Sequence, residues 1–165
     1  MFSQDMLDDF HRRTHGIVQT LLSHCGRFTT AELDRELAGF GYPTIRSQLH
    51  HGIAAEKYWV GVVRGHVDVD DNFDAYPTAR ALERFRQEVF SDTGKYLSTA
   101  SAEELNTQRH MMTWGNKGYL LVPAHIIMRT QTHYYHHAGQ VAAMCRLIGR
   151  PCDGLDYPII VEPSP

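Results

Sequence analysis

From Ser3 to about His24 the apolar residues Met6, Phe10, Ile17 and Leu21 recur at spacings of four and seven, the stripe of an amphipathic helix that Gly26 ends. A turn-rich connection follows, in which Thr29 or Thr30 before AELDREL can cap one or two helical turns closed by Gly39 and Gly41. Pro43 stands at the first turn of a second long helix, where a missing N–H costs nothing, and TIRSQLHHGIAAEKYWVGVVR carries it to about Arg64. GHVDVDDNFDAYP is acidic and rich in turn residues, so it reads as a loop, with Pro77 as the next helix start. Leu82, Phe85 and Val89 give a third long helix, from about Thr78 to Leu97, its core face. Ser101 and Glu104 in SAEE form a capping box that starts a single turn. In TQRHMMTWGNKGYLLVP two partly apolar arms flank Gly115-Asn116-Lys117-Gly118, which allows a small hairpin or an irregular loop. Pro123 opens the last long helix, which stops at Gly149-Arg150-Pro151. The tail, about 151–165, packs across the bundle or hangs free. This pattern predicts an all-α fold, a four-helix bundle with short extra helical turns, in one domain spanning 1–165.

Composition narrows the function classes. At 165 residues the chain is long enough for one well-cored domain and too short for two of ordinary size. Hydrophobic residues at 42% and charged residues at 21% exclude disorder as its main condition. A formal charge of −3 and the lack of a Lys/Arg run argue against nucleic acid as a partner. The start, MFSQDMLDDFHRR, is acidic where a signal peptide is basic, and no stretch approaches the ~20 apolar residues of a membrane span, so the expected location is the cytoplasm. Cys25, Cys145 and Cys152 form no CxxC pair, which leaves them as buried or incidental thiols. The acidic run Asp68 to Asp71 lacks the glycine and terminal glutamate of a calcium loop and reads as solvated.

Histidine is the residue in excess, with eleven in the chain and three in the stretch HYYHHAGQ at 133–140. On a helix, positions i and i+4 lie about 40° apart on one face, so His133 and His137 can converge on one metal. His136 points about 100° away from His137 and faces solvent or a supporting partner. A third ligand must come from another element, and the second long helix offers His50-His51. His51 shares a stripe with Ala54, Ala55, Tyr58 and Val62, and His50 one with Ile53, Ala54 and Lys57, a small preference for His51 as the inward residue. His11 and His15 form another i, i+4 pair and read as surface or supporting residues.

LHHGIAAEKYWVG followed some eighty residues later by THYYHHAGQVAAMCRLIG resembles the DinB-like family, which includes damage-inducible proteins and YfiT-type thiol transferases. The family's pattern is a histidine followed at the fifth and eighth later positions by a glutamate and an aromatic, then HxxxH running into HxGQ and a Leu-Ile/Leu-Gly ending. Here those positions are His51, Glu56 and Trp59, then His133, His137, Gly139, Gln140 and Leu147-Ile148-Gly149. The resemblance implies His51, His133 and His137 as metal ligands. It leaves Glu56 as a carboxylate behind a ligand or a helix salt-bridge partner, and Gln140 as an orienting or structural amide. Ala138 departs from the arginine of many relatives.

Three neutral imidazoles leave one to three positions open, as a catalytic zinc site requires and a closed structural site does not. Zinc or nickel are the expected ions, with copper or iron also suited to histidine. Two chemistries follow for a small-molecule substrate. In one, the ion activates a low-molecular-weight thiol for S-transfer or isomerisation, as the resemblance implies; in the other, bound water hydrolyses an activated ester or amide. The non-enzyme alternative is a metal that ties two helices together in a binding module. The resemblance also implies a homodimer. Tyr134 and Tyr135 flank the ligands, as donors to substrate or as packing; His125 lines the same cavity or sits at the helix start; and Trp114 packs over the bundle mouth.

Overall fold

Serine and threonine caps set where the helices begin. In the computed structural model, which describes residues 1–67, 69 and 72–159, Ser3 accepts from the Met6 amide at the start of α1 (Gln4–Cys25). Thr29 and Glu32 form a reciprocal capping box over the single turn of α2 (Thr30–Leu33), which ends before Gly39 and Gly41. Thr44 and Ser47 do the same at α3 (Ile45–Val63), and Thr78 accepts from the Ala81 amide at α4 (Ala79–Thr99). Pro43 and Pro77 therefore stand one residue before the cap, not inside the first turn as the sequence suggested. The threonine that follows each is extended, and its hydroxyl does the capping. Ser101 caps α5 (Ala102–Asn106), but Glu104 does not reach back; it lies 3.5 Å from Arg109 instead.

The stretch after α5 is a hairpin. β1 (Arg109–Thr113) pairs antiparallel with β2 (Lys117–Leu121), Arg109 opposite Leu121 and Thr113 opposite Lys117. Its turn places Gly115 at φ 68° and Asn116 at φ 56°, left-handed positions that glycine and asparagine tolerate best. α6 (Pro123–Leu147) then starts with proline in its first turn, where the sequence placed it. The chain after it runs back along α1: Arg13 donates to the Pro158 carbonyl and the Tyr157 ring rests 5.6 Å from that of Phe10. The expectation of a solvated acidic loop falls on Asp68, Asp70 and Asp71, which lie outside the described residues. No helix among the described residues is long and apolar enough to cross a membrane.

The four long helices α1, α4, α3 and α6 follow one another around an all-α bundle, each packed on the next, so α3 and α6 are neighbours and α1 and α3 are diagonal. Gly52 lets α3 and α6 approach: a Cβ there would already touch Tyr134 Cδ1 at 3.4 Å. The core face of α1 differs from the predicted stripe. Met6 is 45% exposed, Leu21 of that stripe is buried, and the main buried line runs through Leu7, His11, Thr14, Val18, Leu22 and Cys25. An apolar count misses that line because its middle turns are polar.

Those polar turns are part of a layer that divides the interior. On one side lies an apolar cluster that includes Val18, Ile53, Phe85, Val141 and Met144; on the other lies one that includes Leu7, Val60, Leu97, Leu105 and Ile127. Between them, α1 supplies His11 and His15, α3 supplies Glu56, α4 supplies Arg86 and Thr93, and α6 supplies Gln131, none more than 5% exposed. Cys25 and Cys145 are buried and unbridged, as expected of thiols without a redox partner motif.

Candidate metal centre

Three imidazoles meet where α3 packs on α6. His133 Nε2 lies 3.2 Å from His51 Nε2 and 3.1 Å from His137 Nε2, and all three donor atoms fall within 4.8 Å of one another. Nitrogens bound ~2.0–2.1 Å from one tetrahedral zinc stand roughly 3.3 Å apart, so this spacing is that of ligands sharing an ion.

The protons can be assigned from the neighbours. Gln48 donates its amide N–H groups to the Tyr42 carbonyl at 2.9 Å and to Gln140 Oε1 at 2.7 Å, which turns Gln48 Oε1 toward His137. That oxygen accepts from His137 Nδ1, so the proton of His137 sits on Nδ1 and the lone pair of Nε2 points at the other two rings. Burial pushes the pKa of His137 down to about 3, helped by His133 and His51, and that of His133 down to about 4, helped by His51 and Arg129. His51 is lowered by the same desolvation, with His50 and His136 adding to it. The inward lone pair of His137 is thus available to a divalent ion shared with the two rings beside it.

The supporting residues divide. Gln140 lies behind Gln48, two links from His137, and its amide also meets His136 Nε2 at 2.7 Å, which leaves His136 at the exposed rim. Tyr42, absent from the sequence reading, stacks on His51 with ring centroids 4.1 Å apart. Gln48 was also missed, although its place one turn before His51 on the same helix face was a usable signal. His50, the neighbour left open as an alternative, is itself buried at 8% exposure, its ring against Phe73, Tyr76 and Phe85. His50 is thus the more buried of the pair, while the half-buried His51 is the one that reaches α6.

Several expectations need correction. Glu56 stands behind none of the three histidines but in the polar layer, and Tyr134 does not donate to their site but packs in the apolar cluster beside that layer. His11 and His15, read as surface or supporting residues, are 0% and 1% exposed. His15 Nε2 meets Glu56 Oε2 at 2.8 Å and His11 Nε2 lies 3.3 Å from Oε1, while Thr93 and Gln131 donate to Oε1 at 2.9 and 3.2 Å. Burial raises the pKa of Glu56, and the imidazoles of His15 and His11 outweigh it, holding the carboxyl well below the usual range. The Tyr134 ring stands edge-on to His15 at 5.2 Å, and burial beside Glu56 pushes its hydroxyl pKa well up.

His11, His15 and Glu56 also bring three donor atoms within 4.8 Å, so geometry alone admits a second ion. Hydrogen bonding argues against it. Arg86, which can only donate, lies 3.2 Å from His15 Nδ1, so that nitrogen carries the lone pair and Nε2 carries the proton given to Glu56. A ligand nitrogen cannot hold that proton. Burial pushes the pKa of His15 down, in keeping with a neutral ring.

A cavity of about 570 Å³ opens beside His51 and His133. Its walls are mainly aromatic, with Tyr58, Trp59, Phe73 and Trp114 among them, and the Trp114 amide is anchored by donation to the Tyr58 hydroxyl at 2.7 Å. Trp114 thus sits at the mouth as expected. His125 does not line this space; it is exposed near the helix start, edge-on to Phe2. Ala138 is buried in the core on another face of α6, away from the cavity.

In comparison with known proteins, no curated protein matches the chain. A sequence profile described as the DinB family matches residues 6–164, nearly the whole length, with both histidine-bearing segments inside the match. With a four-long-helix architecture around a histidine cluster able to hold a metal ion, the chain belongs to the DinB family.

Proposed function

We propose that His51, His133 and His137 hold a divalent ion, zinc or nickel, and that the protein is a metal-dependent enzyme activating a low-molecular-weight thiol for transfer to an electrophilic small molecule. The observation that carries this reading is the convergence of three Nε2 atoms, at 3.1 and 3.2 Å, two of them on rings, His51 and His133, that line a cavity of about 570 Å³. Three protein ligands leave positions for an exogenous group, and the cavity gives that group somewhere to come from. Support for a thiol, as opposed to water, comes from the likeness of the two motifs to the thiol-dependent members of the family.

Bound there, a divalent ion would supply Lewis acidity, lowering the pKa of a thiol that reaches its open position. The chain's own residues do the rest. Gln48 fixes His137 in the tautomer whose lone pair faces inward, and Tyr42 holds the plane of His51. The aromatic wall keeps the reacting groups out of bulk water, where a thiolate would be better solvated and less reactive.

The test is metal content by plasma mass spectrometry on tag-free protein, followed by thiol conjugation to a model electrophile. About one ion per chain, lost in His51→Ala and His133→Ala together with thiol consumption, is the expected result. A protein that cannot be loaded with zinc or nickel would overturn the metal centre. A loaded protein whose cobalt spectrum is unmoved by thiols would leave a metal site without this chemistry.

A further inference from the structure

The cavity carries one permanently charged side chain among the described residues, and its position says what kind of ligand fits. Arg129 lies one turn before His133 on α6 and lines the same cavity. Its guanidinium carbon stands 5.1 Å over the Trp59 ring, and it makes no ion pair with any described carboxylate. Arg46 provides the contrast. It too lies over an aromatic of this wall, 3.7 Å from the Phe73 ring centroid, but its charge is taken up by Asp34. No aspartate or glutamate appears on the described wall.

An arginine whose guanidinium lies over an indole can turn its N–H groups to a planar anion, which it can meet with two parallel hydrogen bonds. Tyr58, Trp59 and Trp114 beside it offer apolar surface for the body of the same molecule. We propose that the ligand of this cavity is a small organic carboxylate with an apolar or aromatic body, its carboxylate bound by Arg129 and its other end directed to the three histidines. This deepens the reading above, and rests on it for which end reacts.

The anion subsite can be tested without metal. The chain's two tryptophans, Trp59 and Trp114, both line the cavity, so intrinsic fluorescence reports its occupancy. Metal-free protein is titrated with 4-phenylbutyrate and with 4-phenylbutan-1-ol, which differ in the charged group alone. The expected result is at least about tenfold tighter binding of the acid, the worth of one charge-assisted pairing. In Arg129→Gln the preference should vanish while the alcohol binds as before, and Arg129→Lys should keep part of it. Because Arg129 is exposed, these variants should fold, which far-UV circular dichroism checks. Equal affinity for acid and alcohol, or a preference unchanged in Arg129→Gln, would overturn the proposal. Acid preference in a protein that takes up no metal would sink the metal centre and leave this subsite standing. A cobalt-loaded protein without acid preference would do the reverse.

Discussion

The two histidine clusters of this bundle share a sequence signature and differ in chemistry. His11/His15 on α1 and His133/His137 on α6 are both i, i+4 pairs, and each meets one residue of α3, Glu56 or His51. In the first, a carboxylate accepts from His15 and an arginine occupies its other nitrogen, so the cluster is closed upon itself and buried. In the second, a glutamine carbonyl accepts the outer N–H of His137, and among the described residues no carboxylate is paired with any of the three rings. Spacing brings imidazoles together; what sits behind them decides whether they bind one another's neighbours or an ion.

The largest expected effect comes from breaking the closed cluster. Glu56→Leu would leave His15, Thr93 and Gln131 without their common acceptor, and loss of one partner from a buried charged network costs about 3–5 kcal/mol. The urea midpoint should fall accordingly, while the fraction that remains folded still binds one metal ion. A stability change under about 1 kcal/mol would mean the layer is not what couples the two apolar cores. Next in size is His133→Ala, which should abolish metal binding yet leave the metal-free midpoint within about 1 kcal/mol of the parent, since that ring is half-buried and no described carboxylate depends on it. If His133→Ala unfolded the metal-free chain, the division into a structural and an open cluster would fail.

A smaller effect tests the support behind the open cluster. Gln48→Leu removes the acceptor that sets the His137 tautomer, and changes behind a metal ligand lower affinity about 10- to 100-fold. Zinc titration against a competing chelator measures it. Gln140→Ala, one link further out, should give a smaller loss, and the two variants together little more than Gln48→Leu alone. Additive losses would place Gln140 on an independent path to the metal site.

How much of this was legible depends on what each residue touches. Caps and prolines marked the four long helices to within a residue or two, because capping is local chemistry written in adjacent positions. The histidines on α3 and α6 could be singled out because His133 and His137 share a face and a known family pattern names a third. The polar layer could not be read. His11, Thr14 and His15 interrupt the apolar stripe of α1, so the visible line, through Met6 and Phe10, lay one residue off the buried one. What makes that polar face a core face is Glu56 on the diagonal helix and Arg86 on α4, contacts at sequence separations of 41 and 71. Local pattern carries no trace of such partners. For the same reason the sequence left Glu56 open between a carboxylate behind a ligand and a helix salt-bridge partner: it lies five residues after His51 on one helix, but the buried position it occupies meets His11 and His15 of α1.

The last and smallest effect is an absence of protons. Zinc binding to unperturbed imidazoles at pH 6 displaces protons, because three histidines of pKa near 6.5 together hold about two there. In the folded protein desolvation keeps His133 neutral down to about pH 4 and His137 to about pH 3, with His51 lowered as well. Zinc should then enter at pH 6 with release of fewer than about one proton, measurable by calorimetry in buffers of different ionisation enthalpy. The sign reverses for stability. A histidine with a depressed folded pKa takes protons only when unfolded, so the metal-free chain should lose stability as pH falls from about 6.5 toward 4, less steeply in His133→Ala. Release of two or more protons at pH 6 would mean that the three rings are solvated in the absence of metal. The open cluster would then be assembled by the ion itself, and the contrast with the preformed layer around Glu56 would become one between a site built by folding and a site built by its ligand.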